Sequence, residues 1–140
     1  MMKIAKEFRW EMGHRLSFHD GKCINLHGHS YKALIEIEGD KDKNGMVLDY
    51  YELKKWVKPV IEELDHAFMV YGQDQQLVRI LKEINSKHVI VDFESTAENI
   101  SEYLLNRILQ NKAEYNIRKV KVRVYETENT YAETEYVRFS

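Results

Sequence analysis

The sequence is poor in the residues that staple or interrupt a fold. One cysteine, Cys23, stands among 140 residues, so an intramolecular disulfide and a cysteine-rich zinc cluster are both excluded. One proline, Pro59, and six glycines give little punctuation, and no Ser/Pro-rich linker, repeat or low-complexity tract divides the chain. Residues 1–140 read as a single domain, a size at which one core buries most of the apolar surface. No apolar run approaches the roughly 18 residues a membrane span needs, and the N-terminus has no apolar signal-type stretch. The expectation is a cytoplasmic location with no membrane partner. Lysine and arginine number 21 against 23 acidic residues, and a net charge of −2 supplies no bulk field to attract nucleic acid. An anionic substrate must then be handled by local groups.

What is present is regular patterning. Ile4, Lys6, Phe8, Trp10 and Met12 alternate with Ala5, Glu7, Arg9 and Glu11, the signature of a half-buried strand. Tyr31, Ala33, Ile35 and Ile37 form one face of a second strand that Gly39 ends. Asn44-Gly45 marks a tight turn, with Met46–Leu48 as a short return strand. Asp49 and Glu52 form a capping-box pattern, and Leu53, Trp56, Val57, Val60, Ile61 and Leu64 give the following helix a continuous apolar stripe. Pro59 inside that stripe predicts a kink or local break. Leu77–Ile84 reads as a shorter helix and Val89–Val91 as a buried strand. Ser95 and Glu98 repeat the capping pattern before a helix burying Ile100, Tyr103, Leu104 and Ile108. Val120, Val122 and Val124 alternate along a strand, and Tyr131–Phe139 forms another. This order implies an α+β layer of antiparallel hairpins covered by two main helices.

The histidines carry the first chemical signal. His14 continues the even-numbered series of the first strand, and His27 and His29 continue the odd-numbered series of the second. Residues two apart project from the same strand face, so His-Gly-His aims two imidazoles one way, and Gly28 leaves the opposite face open to close approach. If the strands pair as a hairpin, His14 arrives from the neighbour. Three imidazoles with one open position is the layout of a catalytic zinc site. His19 and His88 lack this context.

Three further features are weaker singly. Cys23 lies in a polar, turn-like stretch four residues before His27, beside Lys22, which favours thiolate. It could be a fourth zinc ligand or an acid/base group, and local sequence leaves both open. Asp65-His66 follows the apolar stripe of the first long helix; a carboxylate there could orient the ring of a general base, and a cationic His would equally complement the helix dipole. Glu126 is in phase with the Val120–Val124 core series, where a carboxylate wants a partner such as the amidine-like N–H pair of a guanine-type or pterin ring. By contrast, Asp40–Gly45 matches only the first half of a calcium loop, since position twelve is Tyr51 where a bidentate Glu is required.

Assembled, these residues resemble the 6-pyruvoyl-tetrahydropterin and 6-carboxy-tetrahydropterin synthase family over essentially the whole chain. The carriers are Phe8–Leu16, Cys23–Tyr31, Gly45–Tyr50, Leu64–His66, Thr96–Asn99 and Tyr125–Thr127. The resemblance implies the tunnelling fold, a four-stranded antiparallel sheet with two helices on one side, assembled as a homo-oligomer, commonly a hexamer of two stacked trimers with sites between subunits. It implies a lyase with Zn2+ on His14, His27 and His29. Cys23, Asp65 and His66 would be the catalytic groups, Cys23 reaching across an interface from the other two. Glu126 would anchor the pterin, with Thr96 and Glu98 in the segment lining its pocket. The implied substrate is 7,8-dihydroneopterin triphosphate. The three-residue spacer between Cys23 and His27 is similar to the 6-carboxy branch, which feeds queuosine and other deazapurines. Arg15, Lys22 and Lys32 are near enough in sequence to be triphosphate contacts. Departures are Met12-Gly13 before the first His, Glu94-Ser95 before Thr96, and a long stretch from Ala67 to Phe93.

Overall fold

A computed structural model describes residues 1–111 and 116–138. Two long strands, β1 (Met2–His14) and β2 (His27–Gly39), pair antiparallel in a register running from Met2 opposite Gly39 to His14 opposite His27. The alternation read in the sequence sets this register, because a one-residue slip would turn the apolar series to solvent. Trp10 and Met12 of β1 and Tyr31, Ala33, Ile35 and Ile37 of β2 are all buried on one face. The expected hairpin is therefore present.

The rest of the chain builds outward from that pair. Helix α1 (Tyr50–Leu64) leads into β3 (Ala67–Tyr71), α2 (Gln75–Glu83) and β4 (His88–Val91). Helix α3 (Ala97–Leu109) leads into β5 (Ile117–Thr127) and β6 (Thr130–Val137). The sheet order is β4-β3-β1-β2-β5-β6. Strands β1, β2, β5 and β6 are the expected four antiparallel strands, while β3 and β4 extend the sheet in parallel, making six. Helices α1 and α3 cover the face that carries Trp10, Ile35 and Val122. The small helix α2 lies on the other face: Leu77 and Leu81 pack on Val70 and Phe68, whereas the intervening Met69 joins the main core.

Several local expectations need correction. Met46–Leu48 forms no strand; Val47 and Leu48 are buried as a plug at the entry to α1. Helix α1 runs through Pro59 without a break, because the proline sits on its exposed side, where losing one backbone donor strands no buried group. Asp49 caps α1 as expected, accepting the Tyr51 N–H at 2.8 Å. Strand β4 is a sheet edge with Ile90 exposed, and only Val91 of Val89–Val91 is fully buried. The cap of α3 is Thr96, whose Oγ1 accepts the Asn99 N–H at 3.2 Å, so Ser95 is free for another task. Phe139, expected within the last strand, lies outside the described residues.

Candidate functional site

The hairpin register converts strand phase into a cluster. His14 is directly opposite His27, and His29 lies one step along the same face, opposite Met12. The ring centroids are 4.7, 4.9 and 5.1 Å apart, and one ring nitrogen from each lies within 4.8 Å of the others. Tyr31 supplies the floor, with its ring 5.5 Å from His29 and stacked on Trp10 at 5.1 Å. On the opposite face Gly13 pairs with Gly28, and an added Cβ at Gly28 would meet the Met12 carbonyl at 3.2 Å, which accounts for the small residue inside His-Gly-His.

Hydrogen bonding fixes which nitrogens face the centre. His14 Nδ1 lies 2.8 Å from the Ser95 carbonyl and 3.1 Å from the Ser95 hydroxyl. His27 Nδ1 lies 2.7 Å from the Asn25 carbonyl. A carbonyl only accepts, so the proton sits on Nδ1 in both rings and Nε2 keeps its lone pair. The Nε2 atoms of His14 and His29 are buried without a hydrogen-bond partner among the described residues. Burial holds the His14 pKa down at about 4 against its usual 6.5, outweighing the Ser95 bond that opposes it, with His27 and His29 adding to the depression. Burial likewise lowers His29, with Glu126 opposing. Converging imidazoles, two of them with buried Nε2 atoms that make no hydrogen bond, are what a divalent metal of nitrogen preference requires. The donor set fits zinc, and Cys23 and Glu126 lie outside the cluster of ligand atoms within 4.8 Å of one another.

Glu126, near the end of β5, faces this cluster: its Oε1 lies 3.5 Å from His14 Nε2 and 3.7 Å from His29 Nε2. It also lines a cleft of about 260 Å³ with Glu98, Tyr131 and Ala132. Thr96 stands at the head of the same helix as Glu98, with its hydroxyl used as the cap. Cys23 sits half-buried in a 3-10 turn, Lys22–Ile24, tied to the segment that follows β1 by the Leu16 N–H donating to the Cys23 carbonyl at 2.8 Å.

Asp65 and His66 form a pair, with Asp65 Oδ1 3.0 Å from His66 Nδ1. The Glu11 N–H donates to the same carboxylate at 2.9 Å and, with His66, holds the Asp65 pKa below the usual carboxylate range. His66 is well exposed and lines a cleft of about 370 Å³ with Glu11, Gly13, Gly28 and Ser30. Glu11, Gly13, Gly28 and Ser30 are the out-of-phase residues of β1 and β2, while Met12 and His29, which also line this cleft, are in phase with the histidine cluster. Arg15 is committed elsewhere, its guanidinium donating to Asp74 at 2.6 and 2.7 Å. Lys32 lies 3.7 Å from Glu7 and over the Tyr125 ring, and Lys22 is exposed.

Ser95 and Asn25 are functional neighbours that the sequence did not disclose. Ser95 carried only a helix-cap signal, and a backbone acceptor such as Asn25 has no side-chain signature.

Comparisons with known proteins place the chain in a family. The family model for 6-pyruvoyl tetrahydropterin synthase matches residues 3–136. A Haemophilus influenzae protein named 6-carboxy-5,6,7,8-tetrahydropterin synthase is 42% identical, the match covering 95% of this chain and 98% of that one. An Aquifex aeolicus protein of the same name is 31% identical over 94% of this chain and 96% of its own. The crystal structure of Plasmodium vivax 6-pyruvoyl tetrahydropterin synthase superposes with a TM-score of 0.80 at 20% identity, covering 98% of each chain. By sequence over nearly its whole length and by fold, the chain belongs to the 6-pyruvoyl tetrahydropterin synthase family.

Proposed function

We propose that this chain is a zinc-dependent lyase converting 7,8-dihydroneopterin triphosphate and water to 6-carboxy-5,6,7,8-tetrahydropterin, acetaldehyde and triphosphate. The observation that carries the reading is the histidine cluster with Glu126 beside it, in a chain 42% identical to a protein named for that product. The short spacer between Cys23 and His27 supports the same branch.

His14, His27 and His29 would hold the zinc, which when bound acts as a Lewis acid and acidifies the hydroxyls of the substrate side chain. Ser95 and Asn25 keep His14 and His27 in the Nδ1–H form, so their Nε2 atoms stay available. Glu126 accepts the amidine-like N–H pair of the pterin, a bidentate charge-assisted contact that sets the ring and delivers the side chain to the histidines. Thr96 and Glu98 line the pocket from α3, and Glu98 and Glu126 share a cleft. Cys23 and His66 move protons at the side-chain carbons while the triphosphate leaves. Asp65 stays ionised because Glu11 N–H and His66 hold its pKa down, and it accepts the His66 Nδ1–H, leaving Nε2 as the exchanging atom.

The separation of the exposed dyad from the histidine cluster supports a site built from more than one copy. His66 is exposed and lies outside the cluster of ring nitrogens, so the dyad would serve the metal centre of a neighbouring subunit, with Cys23 across the interface from it. We assign a homo-oligomer, a hexamer of two trimers, acting in the cytoplasm and supplying queuosine-type deazapurines. Among the described residues no helix is long and apolar enough to cross a membrane. Mass spectrometry of the products from dihydroneopterin triphosphate tests the reaction. One equivalent of acetaldehyde with a 6-carboxy pterin is expected. A 6-pyruvoyl pterin retaining its carbons would reassign the branch, and an unchanged substrate would reduce the chain to a pterin-binding module.

A further inference from the structure

The exposed Asp65-His66 pair is held with unusual care for a helix end, and one side chain outside the site completes the hold. His66 has φ +61°, a left-handed conformation that a non-glycine residue adopts only against a steric cost. The peptide group joining Asp65 to His66 is fixed from both sides. Its N–H donates to the Glu11 carbonyl of β1 at 2.6 Å. Its carbonyl accepts from Lys87 Nζ at 2.7 Å, and the same ammonium donates to the Glu62 carbonyl at 2.8 Å. A cation bridging the last carbonyls of α1 also meets the negative end of the helix dipole. Lys87 is itself anchored, because its carbonyl accepts the Phe68 N–H at 3.0 Å.

We infer that Lys87 is a positioning residue for the Asp65–His66 dyad, locking the peptide between them and through it the direction of the His66 ring. The inference rests on the reading of that dyad as the proton-transfer pair. Of the three supports on the dyad, two come from the Glu11 backbone, which substitution at that position leaves in place; Lys87 is the one that acts through a side chain. It lies between α2 and β4, so the stretch that builds β3 and β4 also reaches the site.

The test compares wild type, Lys87→Met, Lys87→Arg and His66→Ala. Lys87→Met keeps the aliphatic stem and removes the donors. It should exchange the His66 amide about tenfold faster, since the bond to Glu11 opens more often. Its kcat on dihydroneopterin triphosphate should fall about tenfold with KM within about twofold, as expected when a reacting group is misaimed. Lys87→Arg should restore most of both, because a guanidinium also reaches two carbonyls. Unchanged amide exchange in Lys87→Met would overturn the inference whatever the activity. Faster exchange with full turnover would also overturn it, provided His66→Ala is inactive. If His66→Ala keeps wild-type turnover, the reading of the dyad itself fails, and the positioning role falls with it.

Discussion

Removing the buried imidazole at position 14 should change how the metal-free protein responds to acid. His14 is 1% exposed, and its pKa is about 4 in the fold against 6.5 as the ordinary value. A histidine whose folded pKa is lowered binds protons more readily in the unfolded chain. Its contribution to stability is therefore intact above about pH 6.5, shrinks as pH falls and is fully lost near pH 4. Integrating the difference in proton binding between pH 7 and pH 5 gives a loss of about 2 kcal/mol from this one group. His29 is shifted the same way and adds to the loss. The assay is urea unfolding of EDTA-stripped protein at pH 7, 6 and 5, for wild type and His14→Gln. The variant should start less stable, yet its stability should fall by about 2 kcal/mol less over that range. Equal falls in the two proteins would refute the reasoning, because His14 would then titrate like an exposed histidine.

Other perturbations separate the parts of the site. Glu126→Gln should weaken pterin binding about 10- to 100-fold, read by isothermal titration, while leaving the bound metal in place, since a charged hydrogen-bond acceptor is lost but no ligand is. Gly13→Ala should lower stability by about 1–3 kcal/mol in thermal unfolding, because the new Cβ would lie 2.7 Å from the Phe68 ring; Phe68→Leu in the same chain should recover part of it. Asp74→Asn should cost about 2 kcal/mol in urea unfolding, as the buried carboxylate that receives both Arg15 bonds loses its charge. The Arg15 partnership depresses the Asp74 pKa, so that contribution is present above the usual carboxylate range and disappears as pH falls through the folded value.

The sequence disclosed what repeats and concealed what is met once. His14, His27 and His29 were legible because strand alternation is strict and each continues an apolar series that faces the core. Strand β3 escaped notice because it is covered on both faces: Met69 enters the main core while Val70 and Phe68 meet α2, so no period of two survives. Val47 and Leu48 suggested a strand after the Asn44-Gly45 turn, but they bury by plugging the head of α1. Ser95 and Thr96 both fit a cap, and only the folded chain shows that Ser95 turns to His14 instead. Asp65-His66 was a weak signal alone. Its supports, Glu11 and Lys87, lie 54 and 22 residues from Asp65, beyond any local pattern.

The central claim is an open metal centre made by three histidines with a separate, reactive cysteine. Elemental analysis of purified wild type alongside Cys23→Ala tests it most directly. The expected result is close to one zinc per chain in both proteins, with turnover lost in the variant. Zinc absent from the wild type, or lost together with Cys23, would contradict the account, because the metal would then be missing or held by the thiolate as a closed structural site.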